Sequence, residues 1–205
     1  MADWAPDLSA SVMEQLSGFH GELLKFNSRV NLISRATERE ADEVHIVDCV
    51  LAIKSMAKID LGASIVDIGA GNGMPGIIMA IMFPSKEIVL LESDSRKCEF
   101  LKHVVGVLKL QNVKIMNTRL ETLKQFPVKT AVTRGFASVS KTCLMCNRTL
   151  AMGSKIYHFK GNSWSSEIAE IPSQLISVWT PELVGEYTLP VSQARRAIVC
   201  TTKRS

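Results

Sequence analysis

The sequence predicts an α/β fold: a doubly wound, mostly parallel, Rossmann-like sheet preceded by an N-terminal helical extension. Three observations carry that reading. From Ser64 onward, strand-patterned apolar runs alternate with helix-patterned segments, as a parallel sheet with crossover helices requires. Ser64 to Gly76 reads S-I-V-D-I-G-A-G-N-G-M-P-G, a buried-type strand, a glycine turn and a helix start. Ahead of it, Val12, Leu16, Phe19, Leu23 and Phe26 are spaced four, three, four and three, which is one face of an amphipathic helix.

In chain order, residues 8–30 form the first helix, entered after Pro6-Asp7 with Ser9 or Asp7 as its cap. Asn27 and Asn31 mark a break. Residues 38–58 form the second helix, with Val44, Val47 and Leu51 apolar. Its first turn is acidic (Glu38, Glu40, Asp42, Glu43), which suits the helix dipole. Asp60-Leu61-Gly62 ends it, so 1–62 reads as a helical cap and 63–205 as the sheet core of a single domain. Strands are expected at 64–69, 87–92, 113–117, 128–133 and 155–160. Helices are expected at 75–83, 95–110, 138–151 and 165–171, with Pro75 suited to a first helical turn. Apolar runs at 175–179 and 197–201 close the chain.

Composition excludes several classes. The 205 residues are 46% hydrophobic and 21% charged, as in an ordinary globular protein and unlike a disordered or fibrous one. No apolar run approaches the roughly 18 residues of a membrane helix. Met1-Ala2-Asp3-Trp4 carries an acid where a secretory signal places a base. The expected location is the cytoplasm, with no membrane partner. Five cysteines, an odd number in a chain this long, do not form a disulfide framework. Cys143 and Cys146 have ligand spacing but lack the second pair of a four-ligand zinc site, so no metal is expected. His20, His45, His103 and His158 are isolated, although His45 and Asp48 can share a helix face and brace the cap. Charge is uneven: residues 1–127 hold 14 Lys and Arg against 16 acids, and 128–205 hold 10 against 4. That asymmetry points to a polyanion-facing side.

The glycine turn fits two ligand classes. Gly71-Asn-Gly73-Met-Pro-Gly76 matches the dinucleotide pattern G-x-G-x-x-G, and Gly69-Ala-Gly71-Asn-Gly73 matches the G-x-G-x-G loop that binds S-adenosylmethionine. Asp67 favours the second, because a carboxylate repels a pyrophosphate and suits a sulfonium and an ammonium; the alternative is that it only braces the turn. Glu92 follows Gly73 by 19 residues, where an acid accepts hydrogen bonds from a ribose. Backbone groups at Leu120 and Glu121, after the third strand, can reach an adenine edge. Arg134 and Lys160 end neighbouring strands and would flank one crevice, as an RNA substrate requires; alternatively each pairs with a helix-end acid.

The chain resembles the glucose-inhibited division protein B family, bacterial methyltransferases acting on a guanine N7 of small-subunit (16S) ribosomal RNA. The resemblance rests on Phe26-Asn-Ser-Arg-Val-Asn31-Leu32, His45-Ile-Val-Asp48, the Asp67–Gly76 loop, Leu91-Glu92-Ser93, Arg96-Lys97, Arg119-Leu120-Glu121, Thr133-Arg134-Gly135-Phe136-Ala137-Ser138 and Lys160-Gly161. It implies a seven-stranded class I methyltransferase sheet and a monomer. It puts cofactor contacts on Gly69, Met74, Leu120, Glu121 and Arg134, with Glu92 at the ribose and Arg119 and Lys160 on the substrate side. Arg134 and Lys160 become the catalytic candidates, and Asp67, Gly71 and Gly73 complete the loop. There are departures: Glu92 stands for the usual Asp, Thr133-Arg134-Gly135 for S-R-A, and Cys49 for serine. Guanine N7 already presents a lone pair, so no general base is expected. A nucleotide-dependent oxidoreductase and a non-catalytic RNA-binding module are the competing readings.

Overall fold

The structure, a computed structural model, describes residues 7–124, 126 and 128–204. Its strands are β1 (Ser64–Ile68), β2 (Glu87–Glu92), β3 (Val113–Asn117), β4 (Thr130–Arg134), β5 (Lys155–Lys160), β6 (Trp179–Thr188) and β7 (Arg195–Lys203). They form one seven-stranded sheet in the order β3-β2-β1-β4-β5-β7-β6. Only β7 runs against the others, since it pairs antiparallel with both β5 and β6. This is the doubly wound, mostly parallel sheet of the class I methyltransferase fold.

The helices are α1 (Ala10–Asn27), α2 (Asp48–Ser55), α3 (Gly76–Met82), α4 (Ser95–Val107), α5 (Val139–Cys146), α6 (Trp164–Ala169) and α7 (Ser173–Ile176). Strand alternation sends side chains to two cores. Ile65, Ile88 and Leu90 pack with Phe19 and Leu23 of α1, Ile53 of α2, Ile77 of α3 and Leu101 of α4. Val66, Val89 and Leu91 pack on the opposite face with Val139 and Cys143 of α5, Leu175 of α7 and Trp179. The sheet centre is therefore dry on both sides, which is why β1 and β2 read as continuous apolar runs.

Local chemistry sets the ends. The Ser9 hydroxyl accepts from the Val12 N–H and caps α1; Asp7 instead pairs with Lys54, and Pro6 lies outside the described residues. Asp94 caps α4 through the Arg96 N–H, and Ser138 caps α5 through that of Lys141. All five cysteines are free and buried. No helix among the described residues is long and apolar enough to cross a membrane.

Several boundaries differ from the expected ones. The second helix is not continuous: a 3₁₀ segment (Arg35–Glu40) and a π-helical turn (Asp42–Val47) precede α2. In the π turn the Asp48 N–H bonds to the Glu43 carbonyl, leaving the Val44 carbonyl for a tertiary partner. The helices expected at 95–110 and 138–151 stop at Val107 and Cys146, where Lys109 takes a positive φ and the Thr149 hydroxyl turns to the Leu120 and Leu123 carbonyls. The fourth strand starts two residues late and includes Arg134. The run at 175–179 splits between α7 and β6. β6 is an edge strand, so it tolerates Pro181, and its register shifts between Leu183 and Gly185.

Helix α3 lies unusually close to the sheet. A Cβ at Gly76 would sit 2.3 Å from Leu90 Cδ2 and 2.7 Å from Asp67 Oδ2. We expect Gly76→Ala to destabilise the fold by about 1–3 kcal/mol, read as a lower urea midpoint at constant slope; an unshifted midpoint would show that this approach has slack.

Candidate active site

One cavity of about 920 Å³ opens over the carboxyl ends of β1, β2, β4 and β5. Its place beside β1 and β4 is where the strand order reverses, the crevice that doubly wound sheets use for ligands. Gly69, Ala70, Gly71 and Asn72 form one wall, Glu92 and Ser93 the next, and Thr118 to Glu121 a third. The wall toward β4 and β5 carries Arg134, Phe136 and Lys160, and Asp48, Tyr187 and Arg196 close it.

The glycine wall is shaped by backbone needs. Gly69 takes φ +70°, and a Cβ there would lie 2.4 Å from the Phe136 ring. The Gly71 N–H donates to Glu92 Oε2 at 2.8 Å, while Glu92 Oε1 accepts from the Asp94 N–H at 2.8 Å. Glu92 is thus pinned by two backbone bonds at the cavity edge and keeps lone pairs for hydroxyls.

Asp67 does not face the cavity. It is fully buried and on the α3 side of β1, where its Oδ2 accepts from the Gly76 N–H at 2.8 Å. Its Oδ1 has no partner among the described residues. Burial pushes its carboxyl up to about 7, opposed by the Gly76 bond and assisted by the nearby Glu92 charge. The carboxylate that selects between ligand classes by direct contact is therefore not this one; Asp67 braces the turn. Gly73 and Met74 are likewise absent from the cavity wall. Gly73 packs over Ile77, and Met74 is buried in the apolar core. Gly69, Gly71, Glu92, Arg119, Leu120, Glu121, Arg134 and Lys160 all line it.

The two strand-end cations share the cavity, and each is tethered to an acid. Lys160 Nζ donates to Glu167 Oε2 at 2.8 Å and to the Ala137 carbonyl at 2.9 Å. Arg134 lies 3.0 Å from Asp48 by Nη2 and donates to it at 3.1 Å by Nε. Its Nη2 also reaches the Val44 carbonyl freed by the π turn, at 2.7 Å, and His45 Nδ1 at 3.2 Å. Since Arg134 can only donate, His45 Nδ1 is the acceptor and Nε2 carries the proton toward Thr37 Oγ1. Burial and then the Arg134 charge push the His45 pKa down to about 4, so the ring stays neutral.

Sequence reasoning missed Tyr187, Arg196 and Glu167 on this wall. The Arg195-Arg196 pair ahead of the apolar 197–201 run was the available signal. Tyr187 carried none, since it lies in a strand broken by proline and glycine.

A crevice at this switch point, glycines on one wall and an acid at the tip of β2 beside them are the features of a class I, S-adenosylmethionine-dependent methyltransferase. The fold matches that of a glutamate-to-glutamine mutant of MtNAS solved with S-adenosylmethionine (TM-score 0.62, 13% identity, 94% of this chain and 73% of that one). The family model for rRNA small subunit methyltransferase G, GidB, matches residues 12–184, and the chain belongs to that family. Ribosomal RNA small subunit methyltransferase G 3 of Bdellovibrio bacteriovorus is 43% identical over 98% of this chain and 91% of its own. Ribosomal RNA small subunit methyltransferase G of Paracoccus denitrificans is 33% identical over 78% and 82%.

Asp67 makes a pH prediction with a definite sign. Its folded pKa is raised from 3.8 to about 7, so the folded state holds an extra proton between those values. Stability from that proton is complete below pH 3.8 and is lost as pH rises through 7. Asp67→Asn keeps an acceptor for Gly76, so we expect its melting temperature to gain on the parent as pH rises from about 4 to about 7, with little further gain above that. Parallel melting curves across that range would show that Asp67 is ionised throughout.

Proposed function

We propose that this chain methylates N7 of a guanine in 16S ribosomal RNA of the small ribosomal subunit, acting as a cytoplasmic monomer. The observation that carries the proposal is the division of one cavity into a nucleoside end and a cationic end. At the first, Glu92 and the Leu120-Glu121 backbone answer a ribose and an adenine edge, beside Gly69 and Gly71. At the second, Arg134, Lys160 and Arg196 meet a polyanion, and Arg119 adds a cation from the Thr118–Glu121 wall.

The residues present fit S-adenosylmethionine. Gly71 has a positive φ, a Cβ there would meet only the Gly69 carbonyl at 3.6 Å and Glu92 Oε2 at 4.0 Å, and Glu92 has lone pairs to spare. Held by Gly69, Gly71, Glu92 and the Leu120-Glu121 backbone, S-adenosylmethionine would supply an electrophilic methyl to the N7 lone pair, with the neutral thioether as leaving group. No proton moves in that step, so the protein needs no general base. What the chain contributes is alignment: a fixed ribose contact at one end, a fixed guanidinium at the other. Arg134 is suited to hold guanine O6 while leaving N7 free. Lys160, tied to Glu167 of α6 and to the Ala137 carbonyl, presents a fixed ammonium to the same end.

Two measurements test this. Calorimetry is expected to detect binding of S-adenosylmethionine and not of NAD, and Glu92→Ala is expected to weaken it about tenfold or more through lost ribose bonds. The purified protein is expected to transfer labelled methyl to small subunits lacking the modification, and Arg134→Ala to abolish the transfer. Near-normal transfer by that variant would remove Arg134 from the mechanism.

A further inference from the structure

Asp48 is the most heavily used side chain at the cationic end, and no role in transfer follows from its family motif alone. It begins α2, is 3% exposed, and lines the cavity. Oδ2 receives Arg134, and Oδ1 receives the Tyr187 hydroxyl at 2.8 Å and faces Arg196 Nε at 3.5 Å. One carboxylate therefore joins two guanidiniums, from β4 and β7, and a phenol from β6. The same π turn anchors the hairpin that brings two of them. Glu43 Oε1 accepts from the Val191 and Ser192 N–H groups at 2.8 Å each, at the β6–β7 connection.

The arrangement has two consequences. Arg134 has Nε and Nη2 committed to protein acceptors, while Nη1 takes no partner among the described residues. One corner of a rigid plane is thus left for a ligand. Secondly, two unpaired guanidiniums would oppose any reaction that places positive charge on a base beside them. The carboxylate between them offsets that field.

We propose that Asp48, held by the Tyr187 hydroxyl, is a positioning residue that orients Arg134 and Arg196 toward the methyl acceptor and compensates their charge as the acceptor becomes cationic. This rests on the RNA methyl-transfer reading above. It makes kcat, and not RNA affinity, the sensitive quantity. Removing the carboxylate's charge leaves the cavity mouth more positive, so RNA is held at least as well while the transfer slows.

The test uses Asp48→Asn, Tyr187→Phe and Arg134→Ala in the full chain, with small subunits lacking the modification as acceptor. For Asp48→Asn, kcat is expected to fall about tenfold or more with no rise in KM for the subunit. Tyr187→Phe removes one hydrogen bond and no charge; kcat is expected to fall about two- to fivefold, with an unchanged melting temperature and unchanged affinity for S-adenosylmethionine. A packing role would instead lower the melting temperature and raise KM together, and that pattern, or wild-type kcat in both variants, overturns the proposal. Should Asp48→Asn not fold, Tyr187→Phe decides alone. Absence of transfer by the unsubstituted protein would sink the methyl-transfer reading itself, whereas full activity of Arg134→Ala would remove the residue that Asp48 is proposed to orient. An inactive Arg134→Ala beside fully active Asp48 and Tyr187 variants would sink only this inference.

Discussion

The bond from the Gly76 N–H to the buried Asp67 carboxylate ties the first helical turn of α3 to the centre of β1. A buried donor at a helix start needs an acceptor, and here the acceptor comes from the strand underneath. That contact draws α3 down onto Leu90, which only a glycine at position 76 permits. With the far end of the turn fixed, the segment from Gly69 to Asn72 projects outward and becomes a cavity wall. The orphan Oδ1 is the cost of burying a carboxyl with a single protein donor among the described residues.

Much of this was legible in the sequence because the sheet interior leaves little choice. Strands β2, β3 and β5 begin and end where the apolar patterns put them, and the glycine turn announced the switch point. The failures have physical causes. The π turn at 42–47 exists to satisfy Arg134 and the 191–192 backbone, partners more than 85 residues distant that no local pattern encodes. β6 is half exposed with only Trp179 buried, and it has Pro181 and Gly185 inside it, so it lacks the alternation that marks a half-buried strand. Asp67 was assigned to the ligand because its place before the glycines is known from sequence, whereas its direction depends on strand parity. It shares the side of Ile65, facing α3, and not the crevice.

Both strand-end cations are bridged to acids, the plainer of the two expectations, and both still line the cavity. The two descriptions do not conflict. A guanidinium or ammonium already fixed by a carboxylate has lost most of its rotamer freedom on folding, so little further ordering is needed when a ligand arrives. Neutralised pairs also desolvate more readily than bare charges. The neutral, singly protonated His45 ring extends this rigidity outward to Thr37.

Strand β7 enters the sheet between β5 and β6, and with β6 it delivers Arg196 and Tyr187 to a carboxylate 139 residues before the tyrosine. Contacts that close so long a loop form late when a chain organises itself. The glycine turn and Glu92, separated by only 21 residues, can take shape well before them. The wall of Gly71 and Glu92 thus depends on a short chain closure, and the Tyr187 and Arg196 contacts to Asp48 on a long one. The two sides of one cavity therefore differ in how much of the chain must be in place to build them.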